Sequence, residues 1–307
     1  MPELTARLAG LSTARRKLLD ELLKTEPRPV VNRETPATAT SAPVSLTSDP
    51  KRSCQEFFDE VNRQLDKSLF GNFSFYLNFG FVSNLNQEFA VVHMPEHVMN
   101  RSSMKLILEV LGDCPLNNRM ILDVGCGRGA CAAVIAEFFQ PKHYIGLDLS
   151  NNAVRFCHAR HRYDCVAFYQ GDAENLPFRT ASMDVVINVE SSSSYPSLRA
   201  FYREVFRVLA SGGHFLYSDV LPTRQMSESA EFLKSIGFEM LRDRDITTNV
   251  LLSCDEVARN RMQAYQRLGQ DGVLSNFLGA PGSHVYEEMK SGFRSYRILH
   301  LLKACER

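Results

Sequence analysis

Tryptophan is absent from the sequence, and none of the eight cysteines forms a Cys-x-x-Cys pair. Without such pairs or clustered histidine partners, the sequence predicts no structural zinc, and the scattered thiols read as a reduced, cytoplasmic chain. No excess charge of either sign exists, because Lys+Arg and Asp+Glu are both 35. That balance argues against nucleic acid or an anionic membrane as a partner. No apolar run is long enough to span a bilayer, and the N-terminus lacks the core of a signal peptide. What remains is a 307-residue chain with 44% hydrophobic residues, enough for a substantial core.

Composition divides the chain. Leu11, Leu18, Leu19, Leu22 and Leu23 share one face of an amphipathic helix within 1–24, with Ser12 as its N-cap. Residues 25–50 are rich in Pro, Thr and Ser and lack periodicity, which predicts a flexible linker. Residues 51–117 contain two helical stretches around an aromatic, Asn/Gly-rich segment and read as a helical cap. From 118 to 307 short β-rich runs ("RMILDVG", "HYIGLDL", "CVAFYQGD", "MDVVINVE", "GHFLYSDV") alternate with helical stretches. That alternation predicts an α/β fold with a parallel sheet covered on both faces.

"ILDVGCGRGACAAVIAEFF" reads as strand, glycine turn and helix. Gly125, Gly127 and Gly129 let a ligand approach the backbone. No Gly-Lys-Ser/Thr follows, so the loop is not built for a nucleoside triphosphate. Asp123 stands before the loop, where a carboxylate can engage a cationic amine. Asp148 ends the next strand, where it can accept from both ribose hydroxyls. Asp172 ends the third, where it can accept from an adenine amino group. A ligand with an amino-acid head, a ribose and an adenine but no phosphate fits this order.

"LDVGCGRG", "GLDLS", "GDAENLPF", "MDVVINVE" and "REVFRVLASGGHFLYSDV", in this order, resemble the class I S-adenosylmethionine-dependent methyltransferases over roughly residues 68–305. The resemblance implies a Rossmann-like, seven-stranded, mostly parallel sheet with helices on both faces, its last strand inserted antiparallel, plus the N-terminal helical cap and a late cap insert. It implies S-adenosyl-L-methionine as cofactor, held by Asp123, Gly125, Cys126, Gly127, Gly129, Asp148, Leu149, Gly171, Asp172, Ala173 and Asn188, with Tyr76 and Asn78 near its carboxylate. It implies no metal. "NFGF", the turn after the fourth strand and "YEEMKSGFRSYRILHLLK" are similar to O-methyltransferases of polyketide and nonribosomal peptide pathways. The expected acceptor is therefore a hydroxyl or enol, on a small molecule or on a carrier-protein-bound acyl or peptidyl chain. The N-terminal helix would serve as a docking element for megasynthase modules. A C-methyltransferase on a prenylated ring or sterol-like acceptor is the alternative, and a catalytically weakened cofactor-binding domain is another.

The turn "NVESSSSYPS" departs from that resemblance. Where related enzymes carry a histidine paired with the glutamate, this chain has Ser193. A serine hydroxyl is too weak a base to replace imidazole. Three readings stay open: Glu190 is the base alone, a histidine arrives from elsewhere, or the site is weakened. His93 and His97 in the cap are the histidines best placed to reach the chamber, and His284 in the late insert is a further candidate. His143, His158, His161, His214 and His300 read as structural or solvated. The cap aromatics Phe73, Phe75, Phe79 and Phe81 read as part core, part apolar lid.

Overall fold

A computed structural model describes residues 49–67, 75–83, 100–265 and 279–304, apart from the side chains of 137 and 257–265. The helix expected within 1–24, nearly all of the linker, Phe73, His93 and His97 lie outside the described residues.

Helix α1 spans Pro50–Lys67. Proline at its first position leaves no donor unmet, and the Asp49 carboxylate accepts from the Lys51 N–H at 3.0 Å. Helix α2 spans Arg101–Leu111. The chain then alternates through β1 (Met120–Val124), α3 (Ala130–Phe138), β2 (His143–Asp148), α4 (Asn151–Arg160), β3 (Val166–Gln170) and β4 (Met183–Val189). It continues through α5 (Leu198–Val208), β5 (Leu209–Pro222), α6 (Thr223–Ser235), β6 (Phe238–Asp245), α7 (Thr247–Tyr265), α8 (His284–Lys290) and β7 (Arg294–Lys303).

The seven strands form one sheet in the order β3-β2-β1-β4-β5-β7-β6. β7 runs antiparallel to both β5 and β6, and the other pairings are parallel. This is the expected Rossmann-like arrangement with an inserted last strand. Apolar residues on successive positions face opposite layers, as a two-residue period requires. Ile121, Val185, Ile187 and Leu216 join a core under α2, α3, α4, α7 and α8. Leu122, Val186, Phe215 and Tyr217 join the core under α5 and α6. A strand buried on both faces must be apolar throughout, which explains the unbroken "VVI" of β4.

β5 begins earlier than the alternation predicts. Leu209 pairs with Met183, residues 210–213 bulge out, and His214 resumes the ladder against Val185. Sequence order reverses between β1 and β4, and the space beyond their carboxyl ends is where ligands of such sheets bind.

Candidate functional site

The β1–α3 turn is the tightest part of the site. Gly125, Gly127 and Gly129 all have positive φ, which suits glycine. A Cβ on Gly125 would lie 2.2 Å from Ser191 Oγ and 2.7 Å from Tyr195 Oη. The glycine loop and the serine turn therefore need each other to be small. Gly129 is the start of α3, and a Cβ there would strike His161.

The serines after β4 are turn architecture. Ser191 donates to Val124 O at 3.2 Å, tying the turn to the end of β1. Ser192 Oγ donates to Asp219 Oδ2 at 2.7 Å, and the Ser193 N–H donates to the same oxygen at 2.9 Å. Asn188 lies buried beneath, its amide donating to Val124 O at 2.9 Å and to Ser191 Oγ at 2.7 Å. A bulkier side chain at Ser191 would push the turn off the glycine loop.

A cavity of about 1020 Å³ opens above these tips. Of the residues proposed from sequence, Asp123, Gly125, Cys126, Gly127, Asp148, Leu149, Gly171, Asp172, Ala173, Asn78, Glu190 and Ser193 line it. Gly129, Asn188 and Tyr76 stand behind the lining. Tyr76 sits between Phe75 and Leu77, which both line the cavity. Tyr76 itself packs against the core, with Cys131 and Tyr163 among its neighbours. Of the histidines, His284 reaches the cavity rim, where its Nε2 lies 3.1 Å from Glu288. His161 is held under the glycine loop by Arg128 O at 3.0 Å.

The carboxylates differ in surroundings. Asp123 is fully buried and accepts from the Tyr144 hydroxyl. Burial pushes its pKa up to about 7, the Tyr144 bond opposes this, and the charges of Asp148 and Cys157 add to it. Asp148 accepts from the Gly127 and Ser150 N–H groups, each at 2.8 Å, and burial also raises it. Each of its oxygens accepts one such bond, which leaves a further lone pair on each. Asp172 Oδ2 accepts from Lys51 of α1 at 2.6 Å.

Several residues escaped the sequence reading. Arg128 is 1% exposed, stacks 3.5 Å over the Phe156 ring, and donates to Asn62 and Asp66 of α1. It fastens α1 over the glycine loop. Tyr296 of β7 donates to Glu190 Oε1 at 2.7 Å, and Asp219 lines the cavity from β5. The acid in "HFLYSDV" was the available signal for Asp219, since an unexplained carboxylate in a buried strand demands partners. Tyr296 left no such trace.

Glu190 adopts a left-handed backbone (φ 52°), uncommon for a non-glycine residue. Its oxygens accept from the Phe79 N–H at 2.9 and 3.1 Å as well as from Tyr296. It thereby joins the segment before α2 to the sheet. Gly80, next along, packs so closely that a Cβ would lie 2.5 Å from Ser253 Oγ.

Comparison with known proteins agrees with this geometry. A family model described as a methyltransferase domain matches residues 122–217. The fatty-acid O-methyltransferase of Mycolicibacterium smegmatis is 32% identical over 233 residues, covering 75% of this chain and 84% of that protein. The chain belongs to the class I S-adenosylmethionine-dependent methyltransferases. The phthiotriol/phenolphthiotriol dimycocerosates methyltransferase of Mycobacterium tuberculosis is 34% identical over 207 residues, 65% of this chain and 75% of that one. A crystal structure of geranyl diphosphate C-methyltransferase from Streptomyces coelicolor, with Mg2+, geranyl diphosphate and S-adenosyl-L-homocysteine, shares the fold. Its TM-score is 0.60 at 15% identity, over 85% of this chain and all of that one.

The methyltransferase uses S-adenosylmethionine, and its residues fit that group. A carboxylate pushed up by burial at Asp123 is suited to a cationic partner, which would restore its charged form. Open space beside Gly127 leaves the backbone accessible to a ligand. Among the described residues no helix is long and apolar enough to cross a membrane.

Proposed function

We propose that this methyltransferase O-methylates a lipid-like acceptor, an acyl or polyketide-type chain, at an oxygen that arrives already acidic, as a carboxylate or an enol. The observation that carries the reading is the environment of Glu190. Its carboxylate is occupied by the Phe79 N–H and the Tyr296 hydroxyl. Both of its oxygens are thereby engaged by the protein and not directed at an acceptor hydroxyl. Ser193 supplies no imidazole, and its N–H serves Asp219. An alcohol needs its proton removed as the new bond forms. A carboxylate (pKa near ~4) is ionised at neutral pH and needs no base.

When bound, S-adenosylmethionine supplies a methyl group on a sulfonium that departs as a neutral thioether. Asp123 would face the amino-acid head, Asp148 the ribose, and Asp172 the adenine. The chain's own contribution is placement and exclusion of water. Helix α1 and the segment around Phe79 cover the chamber. Phe57, Phe58, Leu77, Ile107 and Val220 make part of its wall apolar. At about 1020 Å³ the chamber stands at the top of the usual range for a single-ligand pocket, ~300–1,000 Å³, which favours two occupants. The fatty-acid substrate named for the Mycolicibacterium relative supports an apolar acceptor.

The test is labelled methyl transfer to a panel of long-chain acids, enols and alcohols. The expected order is acids and enols well above alcohols. Introducing a base by Ser193→His is expected to raise transfer to alcohols more than to acids. Preferential transfer to alcohols by the native chain, transfer to carbon, or donor binding with no transfer to any acceptor would each overturn the reading.

A further inference from the structure

At the end of the sheet away from the cofactor cavity, three metal-binding side chains converge from distant parts of the sequence. Cys114 follows α2, His214 begins the continuous part of β5, and His300 lies in β7. One donor atom from each, the Cys114 sulfur and an imidazole nitrogen from each histidine, falls within 4.8 Å of the others. His214 Nδ1 and His300 Nε2 are 2.9 Å apart.

The register of the sheet explains the meeting. His214 pairs with Leu302 and Leu216 pairs with His300 across the antiparallel β5–β7 ladder. The two histidines are therefore diagonal neighbours on one face. Cys114 packs into the core on that face, beside α2.

We propose that Cys114, His214 and His300 form a divalent-metal site of the zinc type, structural in role and separate from the methyl-transfer chamber. A thiolate with two imidazoles is a donor set that zinc favours, leaving a fourth position for water or another ligand. Zinc bonds of ~2.0–2.3 Å hold tetrahedral ligands roughly 3.3–3.8 Å apart. Closing the triangle from 4.8 Å thus needs movement of about 1 Å. The pair of ring nitrogens at 2.9 Å needs only to part slightly.

Protonation is compatible with this. Burial lowers both imidazoles from their ordinary value, with Arg119 adding at His214, and with His214 and Arg242 adding and Asp113 opposing at His300. Neutral rings can coordinate. Burial pushes the Cys114 thiol up to about 12 while Arg119 pulls it down, so a metal would have to displace the thiol proton. Such a site would tie α2, which carries Ile107 of the cavity wall, to β5 and β7. The sequence alone predicts no metal because Cys114, His214 and His300 have no ligand-like spacing.

The test uses the full reduced chain, freed of metal by a chelator and titrated with Co2+ and then Zn2+. The expected result is tetrahedral Co2+ absorption with a thiolate charge-transfer band, saturating at one equivalent and bleached by Zn2+. Cys114→Ser should remove the charge-transfer band. His300→Gln, at a partly exposed position, should weaken binding by more than the ~10–100-fold typical of losing an outer hydrogen-bond partner. Zn2+ should raise the melting temperature of the native chain and not that of His300→Gln. No Co2+ band in the native chain would overturn the proposal. So would a band and a Zn2+ shift that persist unchanged in His300→Gln, which also serves if Cys114→Ser does not fold. None of these readouts depends on methyl transfer.

Discussion

Two pairs of carboxylates stand on the floor of the same cavity, and their donors come from different parts of the chain. At the tips of β1 and β2, Asp123 accepts from one tyrosine hydroxyl and Asp148 from two backbone N–H groups. At the tips of β4 and β5, Asp219 accepts from Ser192, Ser193 and Val220, and Glu190 from Phe79 and Tyr296. By donor count Glu190 equals Asp148, and the difference lies in what the donors join. Those of Asp148 come from its own strand tip and the glycine loop, whereas those of Glu190 and Asp219 tie the Phe79 segment, β7 and the serine turn to the sheet. Acids at equivalent strand ends thus have different work: one pair would bind, and the other builds the chamber.

The largest expected effect breaks this contrast directly. Asp148→Ala should lower S-adenosylmethionine affinity by about 100-fold or more, because hydrogen bonds to a charged group are worth ~1.5–3 kcal/mol each. Calorimetric titration measures it. Glu190→Ala should instead leave donor affinity within about tenfold and lower thermal stability by ~1–3 kcal/mol, the penalty for unmet buried donors at Phe79 and Tyr296. Equal loss of donor affinity in both variants would erase the distinction between the pairs.

The next effect is a pH dependence. Asp123 is raised to about 7 in the folded protein, above its ordinary 3.8. The folded state therefore holds a proton that the unfolded state has released between those values. Stability from this group is greatest below 3.8 and falls as pH rises toward about 7. Donor affinity should move the other way. A cationic head favours ionised Asp123, so binding releases a proton below its pKa. Affinity should climb by up to about tenfold per pH unit toward neutrality and then level. Asp123→Asn should flatten the profile and reduce the loss of stability at high pH. A profile unchanged by Asp123→Asn would remove this group from the donor site.

The contrast also marks what could be read from sequence. The placement of the glycine turn, Asp123, Asp148 and Asp172 at strand tips around one cavity was legible, because a close backbone approach demands glycine at fixed offsets from a strand end. Seven strands and the antiparallel insertion were legible because buried strands are unbroken apolar runs and the family resemblance supplied the last pairing. The acceptor side was not. Phe79, Glu190 and Tyr296 lie more than a hundred residues apart from one another at the closest, and a backbone N–H has no sequence signature. Ser193 was read as standing where a histidine is expected, and in the fold its N–H serves Asp219, while Ser191 and Ser192 bond Val124 and Asp219 and leave room for Gly125, as small turn residues should. Tyr76 and Asn78 were grouped together, although one faces the core and the other the cavity.

A smaller effect sharpens the role of Glu190. In Glu190→Gln an amide oxygen at the Oε1 position still accepts from both Phe79 and Tyr296, and only the longer 3.1 Å branch from Phe79 is lost. Stability should therefore fall by no more than ~1 kcal/mol. If the acceptor oxygen arrives ionised, transfer to a carboxylate should stay within about tenfold of native. A loss of 100-fold or more with donor binding intact would restore Glu190 as the general base.

The smallest expected effect concerns the lid. Lys51 of α1 bonds Asp172 at 2.6 Å and Glu174 at 2.8 Å, and its side chain remains 37% exposed. The contact crosses from α1 to the turn after β3 and occupies an oxygen of the acid proposed to face the adenine. Solvent and salt screen such a pair, so Lys51→Met should change stability by less than ~1 kcal/mol. Donor affinity should rise by a few-fold at low ionic strength, because Asp172 no longer has to exchange one donor for another, and the gain should shrink in salt. A fall in affinity would assign the lysine to holding α1 closed over the bound donor. In that case the third acid belongs with Glu190 and Asp219 as architecture, and the dividing line between binding and building would run between β2 and β3.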